Sequence, residues 1–517
     1  MHAKAMSLAW LAVLAGGVRA QEWTTLARSS TRDSRSDAAP AGLGSPLWIA
    51  SIDESGRGIT FEGQSGVVIH DGQVLALGRS GGSARLFCFD SAVGHCRWSA
   101  LVPAASFGSW TTPTVDPVNG AALVASAAYV TAIRVSDGAM MWQTALQRTT
   151  AGATPVVTMD RGPADRAFVT DYDGFGGGGR MYCINVDPQG PGNPFSPGQI
   201  VWSVVIGSTS ANTPAYVDGV VFVASASDHT GLGPGQIRAF DAGATSAPSP
   251  LWTFDNPAGH GFFGGVSVQD GAVYAASYAF AGGPFAANLV KVDAGTGVLR
   301  WSIACNRTDT IPVRLADGSI VVSGGIRGFG SIPSVQKFRD EGAAAVLEWD
   351  SALDSWVDLN SNSQMDPGEY VDVGGWTVQP VLSSRASGPV LFVGVMPAGT
   401  STSSACVALR ELDLAKHPAA AGFLRDSVSG MGSSPALVGG SLYSVGGTGL
   451  HAIGSACYAN CDQSTGAPLL TANDFQCFLN TFAAGGSYAN CDGSTGTPIL
   501  TANDFQCYLN RFAAGCP

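Results

Sequence analysis

The stretch Asp358-Leu-Asn-Ser-Asn-Ser-Gln-Met-Asp-Pro-Gly-Glu369 carries oxygen-bearing side chains at positions 1, 3, 5, 9 and 12 of a twelve-residue loop. They are Asp358, Asn360, Asn362, Asp366 and Glu369, and the Gln364 carbonyl adds an oxygen at position 7. Carboxylate and amide oxygens at that spacing are the hard ligands that Ca²⁺ prefers. Two further oxygen-rich stretches close the chain. Asp462, Ser464 and Asp474 recur thirty positions later as Asp492, Ser494 and Asp504. Each set sits in a loop of small residues that leads into an apolar run. That arrangement suits calcium binding and docking rather than catalysis.

Other chemistry is thin. The seven His are scattered, without the short spacings that metal sites use. No Gly-x-Ser-x-Gly elbow occurs. The glycine-rich stretch from Asp171 to Arg180 lacks the Gly-Lys-Ser/Thr ending of a phosphate loop, and it reads as a long hairpin turn. Carboxylate pairs for glycoside hydrolysis meet only in space, so one sequence neither identifies nor excludes them. The formal charge of −12, with no run of basic residues, argues against nucleic acid or an anionic membrane as target.

The 358–369 stretch matches an EF-hand calcium loop, with apolar Met365 at position 8. It departs from that pattern at Ser363, where glycine normally makes the sharp turn. Asn at two ligand positions should weaken affinity. The alternative is an ordinary Asx-rich surface turn. On either reading the loop stiffens a connection between larger elements.

In the tail, helices must position the oxygens. Phe475, Phe478, Leu479 and Phe482 fall at i, i+3, i+4 and i+7, and Phe505, Tyr508, Leu509 and Phe512 repeat the pattern. Thr471 with Asp474, and Thr501 with Asp504, read as capping boxes. This tandem loop-helix unit, 457–517, resembles a dockerin, closest to the cysteine-containing dockerin-like tails of environmental bacteria. The resemblance implies calcium in the loops and a cohesin-like or cell-surface anchoring partner. It departs in loop length, thirteen residues from Asp462 to Asp474, and in Gly466 and Gly496 where an Asp or Asn is expected. The alternative is a disulfide-stapled helical hairpin without metal. Six of the eleven cysteines crowd this tail, where bridges substitute for a large core. Pairing Cys461 with Cys477 and Cys491 with Cys507 obeys the repeat and leaves Cys457 for Cys516, one of fifteen connectivities.

Between 46 and 456 a looser repeat appears. Trp48, Trp98, Trp142, Trp202, Trp252, Trp301 and Trp349 recur, mostly 44 to 60 positions apart, a period that indicates propeller blades. Each unit holds four short apolar strands, as in Thr111–Val115, Ala122–Ala125, Val130–Val135 and the strand of Trp142. Lys291-Val-Asp-Ala-Gly-Thr-Gly-Val-Leu-Arg-Trp301 resembles the tryptophan-docking repeat of quinoprotein-like (PQQ-type) β-propellers, through Asp293, Thr296, Gly297 and Trp301. In that repeat the Asp turns the chain and the Trp packs between blades. Eight units are counted if a Trp-less one near Leu412–Arg425 is included; its irregularity leaves seven open. The last unit lacks its Trp strand, which Pro46-Leu-Trp48-Ile can supply to close the ring and remove exposed edges. Cys88 and Cys96 are placed to bridge a hairpin, whereas Cys183, Cys305 and Cys406 read as buried thiols.

Residues 1–20 read as a secretory signal, with Lys4 ahead of an apolar run and Ala20 at the cut. Eleven cysteines agree with an oxidising compartment. Residues 21–45, rich in small and polar types, read as a flexible lead-in. No segment is long and apolar enough for a transmembrane helix. The expectation is an all-β chain: a secreted eight-bladed propeller over 46–456, then a small α-helical calcium module. It is read as a non-catalytic interaction protein, with calcium bound and PQQ not expected. The PQQ-type resemblance raises the alternative of a quinoprotein dehydrogenase or carbohydrate-active enzyme, although no Cys-Cys pair is present. A funnel lined with Asp, Arg and Trp would favour the enzyme. A shallow, uncharged central face would favour the scaffold.

Overall fold

Apolar runs of three to eight residues, separated by turns that glycine or Asp-Gly can make, can bury themselves only as antiparallel sheet. Asp71-Gly72, Asp218-Gly219 and Asp270-Gly271 each take positive φ at both positions, the conformation of a two-residue hairpin turn. The result in the computed structural model is eight four-stranded antiparallel sheets. The structure describes residues 22–514 except 41, 45, 62–64, 105–110, 175, 228–232, 279–286, 327–330, 386, 398–405, 455–458, 463, 465–467, 469 and 492–496. Two compact units form, Glu22–Ser455 and a second that includes 456–517.

Each sheet of the first unit is a blade, and in seven of the eight the strands run in chain order from one edge to the other. Blades 1 to 7 span 68–101, 114–145, 156–207, 215–255, 267–305, 313–350 and 381–429. Blade 8 takes three strands from 433–454 and its fourth, Trp48–Ala50, from the N-terminal side. Trp48 pairs with Ala452, Ile49 with His451 and Ala50 with Leu450. The ring is thus closed by a strand from the other end of the chain, as the sequence predicts.

Adjacent blades are locked by tryptophan. Trp48, Trp98, Trp142 and Trp252 lie flat on Gly94, Gly138, Gly198 and Gly297 of the next blade. A Cβ added at those glycines would come within 2.5, 2.6, 2.9 and 2.7 Å of the indoles. The glycines also hold φ between +71° and +80°, so any side chain there meets both a steric and a backbone cost. The indole N–H of Trp48, Trp98, Trp202 and Trp252 donates to the carbonyl of Ser91, Val135, Ala244 and Ala294, all at 2.9–3.0 Å. The preceding turn is fixed by Asp293 Oδ1, which accepts from the Thr296 N–H and hydroxyl at 2.9 and 2.7 Å. Blade 7 has no such Trp; its Phe423 instead meets Trp349 of blade 6 edge-on, ring centroids 5.3 Å apart.

Two expectations are overturned. Cys88 and Cys96 are free, buried thiols, as are Cys183, Cys305 and Cys406. Across the hairpin Cys88 faces Trp98 and Cys96 faces Phe89. Neighbouring strand residues point to opposite faces, so Cys88 enters the core shared with blade 2 and Cys96 the core shared with blade 8. No bridge is possible between opposite faces of a sheet. Nor are residues 23–36, within the predicted flexible lead-in 21–45, free of the propeller. Trp23, Arg32, Ser34 and Ser36 are all buried. The backbone of 23–36 hydrogen-bonds the first, innermost strands of blades 1, 2, 4, 5 and 7, through Ile69, Val115, Tyr216, Val268 and Leu382, at 2.7–3.1 Å. Those strands ring the axis, and their inward edges carry N–H and C=O groups that need partners. Polar composition suggests disorder when a segment is read alone; here the propeller supplies the partners.

In the second unit, helices α1 (Ala472–Ala483) and α2 (Ala502–Ala514) form where the spacing predicts. Phe478 and Tyr508 stack at 3.9 Å between ring centroids and 11° between planes. Disulfides Cys461–Cys477 and Cys491–Cys507 staple each loop to its helix, following the repeat. Cys457 and Cys516 lie outside the described residues.

Candidate functional site

Alternate strands of a blade run in opposite directions. The connections between blades therefore emerge at the same end of the ring as the hairpins joining second to third strands. The oxygen-rich loop 358–369 lies at this end, in the connection from blade 6 to blade 7.

The loop is tied shut by the Val357 N–H on the Glu369 carbonyl at 2.9 Å. Asp358 turns inward, its two oxygens accepting from the N–H groups of Asn362 and Ser363 at 3.1 and 2.9 Å. The Glu369 carboxylate folds back over the loop and accepts from Leu359 and Asn360 N–H with Oε1, and from Asp366 N–H and the Trp356 indole with Oε2. Asp366 Oδ2 accepts from the side-chain amides of Asn360 and Asn362 at 2.8 and 2.7 Å. Those two amides hold its carboxyl below the usual carboxylate range. Gln364 follows, its N–H on Asn362 Oδ1 at 2.7 Å. Ser361 and Ser363 both adopt φ of +59°, so Ser363 makes the turn that glycine makes elsewhere. Hydrogen bonds draw Asp358, Asn360, Asn362, Asp366 and Glu369 into one curled loop, which Gln364 joins through its N–H. Among the described residues no three His, Cys, Asp or Glu gather as a metal cluster. What the loop offers a cation is a mixed carboxylate–amide set, which fits calcium better than a transition metal.

In the tail, Asp474 caps α1. Its Oδ2 accepts from the Thr471 N–H at 2.8 Å, and the Thr471 hydroxyl returns to the Asn473 N–H. Asp504 repeats the contact with Thr501 at 2.8 Å. Asp474 Oδ1 also accepts from the Asp462 N–H at 3.1 Å, and Asp462 Oδ1 from the Ser464 N–H at 2.9 Å. Burial opposes ionisation of Asp462, yet the Ser464 N–H and Asp474 hold its carboxyl below the ordinary value. Asp462, Ser464 and Asp474 therefore share one loop mouth. Of the second set only Asp504 is described; Asp492 and Ser494 lie outside the described residues.

One cluster went unseen in the sequence. Between blades 4 and 7, at the same end of the ring, Phe263, Tyr278, Arg307, Asp309 and Trp376 pack together. Tyr278 meets Trp376 at 5.5 Å and Phe263 at 6.4 Å between ring centroids. The Arg307 guanidinium stands 5.8 Å over the Tyr278 ring, a cation–π distance. The Asp309 N–H donates to the Trp376 carbonyl at 2.8 Å. Its Oδ1 is sealed from solvent and accepts no hydrogen bond among the described residues. Burial pushes this carboxyl up to about 8. Burial likewise pushes the Tyr278 phenol up to about 12, with Asp309 adding to it and Arg307 opposing. A carboxyl so shifted exchanges protons near neutral pH, the property of a general acid or base. The available signal was Trp376, which is extra to the docking set. Arg307 and Asp309 sit in an inter-blade connection with no local motif.

A family model described as outer membrane protein assembly factor BamB, of the PQQ_2 type, matches residues 126–358. The body is an eight-bladed β-propeller, and its stretch 126–358 is similar to PQQ-like repeats. Its fold is similar to that of quinohemoprotein alcohol dehydrogenase from Comamonas testosteroni, with 11% identity over 85% of this chain and 81% of that one at a TM-score of 0.54. A europium-containing methanol dehydrogenase aligns at 10% identity over 82% and 89%, TM-score 0.54. Sqt1 from Chaetomium thermophilum aligns at 12% identity over 80% and 98%, TM-score 0.50. At such identities these likenesses show the fold alone. No curated protein sequence matches the chain. Among the described residues no helix is long and apolar enough to cross a membrane.

Proposed function

We propose that this chain is a secreted, non-catalytic interaction protein. The propeller presents a rigid disc to a ligand. The dockerin-like tail tethers it, with calcium, to a cohesin-like or cell-surface anchoring protein. The observation that supports this reading is the occupied axis. The central channel is the concave space that a propeller offers a small cofactor, and here segment 23–36 hydrogen-bonds the inner strands of five blades. Calcium would be held by Asp358, Asn360, Asn362, Asp366, Glu369 and the Gln364 carbonyl, and in the tail by Asp462, Ser464 and Asp474 with Asp492, Ser494 and Asp504. The ion would supply positive charge that draws those oxygens together and stiffens each loop.

A second reading, a quinone-dependent or carbohydrate-active enzyme, draws support from the Arg307–Asp309–Trp376 cluster. One experiment separates the two. Pyrroloquinoline quinone and Ca²⁺ are titrated into the signal-free protein by calorimetry, with the absorption spectrum recorded. The expected result is saturable Ca²⁺ heat, lost in part in Glu369→Gln, with no quinone binding. Saturable quinone binding with a shifted spectrum would overturn the scaffold reading.

A further inference from the structure

We propose that the axial channel of the propeller is a peptide-binding site whose resident ligand is the chain's own segment 22–36, anchored by Arg32. The partner chemistry is a turn-forming peptide that places one of its guanidiniums, here that of Arg32 rather than Arg28 or Arg35, in the channel pocket.

Three observations carry this. First, the contacts are those of a bound peptide. Trp23 forms a two-way backbone pair with Ile69, its N–H to the Ile69 carbonyl at 3.1 Å and the return bond at 2.8 Å. The carbonyls of Thr24, Ser30, Thr31 and Ser34 accept from the N–H groups of Val115, Tyr216, Val268 and Leu382 at 2.7–2.9 Å. Inner-strand edges thus bind the main chain of a turn-rich segment, which folds on itself through bonds such as Thr24 N–H to Arg28 O at 3.2 Å and Ser34 N–H to Ala27 O at 2.9 Å.

Second, Arg32 fills a pocket made for a planar cation. It is fully buried. Its Nε donates to the Pro214 carbonyl at 3.0 Å, Nη1 to Leu26 O at 2.8 Å and Thr25 Oγ1 at 2.5 Å, and Nη2 to Pro155 O at 2.9 Å and Thr154 O at 3.4 Å. Every acceptor is neutral, and no carboxylate forms an ion pair with Arg32 among the described residues. Burial lowers the guanidinium to about 9, so it remains charged at neutral pH. Nε and Nη2 meet three carbonyls at the entries to blades 3 and 4, while Nη1 ties Arg32 to the segment's own Thr25 and Leu26; an ammonium, with three donors on one nitrogen, does not span this set.

Third, the acceptors come from a repeated feature of the ring. Pro155, Pro214 and Pro380 each stand at the start of an inner strand, and the Pro380 carbonyl accepts from Ser34 Oγ at 2.5 Å. Pro113, Pro312 and Pro435 hold the equivalent places in blades 2, 6 and 8. Three of these carbonyls, those of Pro155, Pro214 and Pro380, face the axial segment, whereas that of Pro312 accepts from Ser267 Oγ of blade 5 at 3.0 Å.

The test uses the full chain with a protease site inserted at exposed Asp37–Ala38. After cutting, the nicked protein is challenged with labelled synthetic peptide 22–36. The expected result is exchange of one peptide per propeller, with an Arg32→Ala peptide competing at least about 100-fold more weakly and Arg32→Lys in between. Equal competition by Arg32→Ala, or no uptake of any peptide, would overturn the proposal. Hydrogen exchange on the uncut chain is an independent arm. The amides of Val115, Tyr216, Val268 and Leu382 should exchange slowly in the parent and accelerate together in Arg32→Ala. Fast exchange in the parent, or acceleration confined to one amide, would also overturn it.

Discussion

At the scale of single residues, the most consequential side chains are ionisable groups screened from solvent. Asp309 is the clearest case for solution measurement. Its folded carboxyl titrates near 8 because burial disfavours the anion, whereas in the unfolded chain it titrates at the ordinary carboxylate value. Between those values the folded state holds the proton that the unfolded state releases. Stability from this group is therefore complete below about pH 4 and declines as pH rises toward about 8. Asp309→Asn keeps the shape and removes the titration. Urea unfolding at a series of pH values should show a flatter profile for the variant across that window. Parallel profiles for both proteins would show that Asp309 ionises normally. Neither Asp309 nor Arg32 lies in a recognisable motif. Their character comes from what the ring packs around them, and a linear sequence does not carry that information.

At the scale of elements, periodicity was a sound guide and composition a poor one. The tail helices, their caps and their staples follow from spacing, because helix geometry and the thirty-residue repeat are both local. The Cys88 and Cys96 pair shows the limit. Their separation suits a hairpin, but a register shift between Cys88 and Phe89 and the alternation of the strand send the thiols to opposite faces. The loop 358–369 lies between: its oxygens are legible as a pattern, and the structure adds how Glu369 folds back to close it. The tail bridges close loops with sequence separation 16. A loop of that size stabilises by about 3 kcal/mol. Replacing Cys461 and Cys477 with Ser should lower the melting temperature of the tail while leaving the propeller transition in place. Calorimetric scans of the full chain would read both transitions, and a tail transition that stays put would count against a structural role for the bridge.

At the scale of the whole molecule, the N-terminal side of the chain does two jobs. Residues 22–36 occupy the axis and Trp48–Ala50 complete blade 8, so the ring joins residues about 400 positions apart. Such non-local pairing makes closure dependent on few contacts. Trp48→Ala removes the indole that rests on Gly94 and hydrogen-bonds Ser91. It should cost about 3 kcal/mol in urea unfolding, the scale of large-to-small changes at a packed aromatic. A loss below about 1 kcal/mol would mean that the ring is held shut elsewhere, with the axial segment the obvious bearer.

The sequence by itself determined the all-β body, the blade period, the tryptophan lock, the closing strand and the stapled helical tail. Each of these rests on local spacing, on turn chemistry or on a repeat that recurs along the chain. Only the tertiary structure decided that 22–36 packs against the inner strands, that Cys88 and Cys96 stay apart, and that Arg307, Asp309 and Trp376 meet. Those outcomes depend on which surfaces the ring brings together across tens to hundreds of residues, where no local pattern reaches.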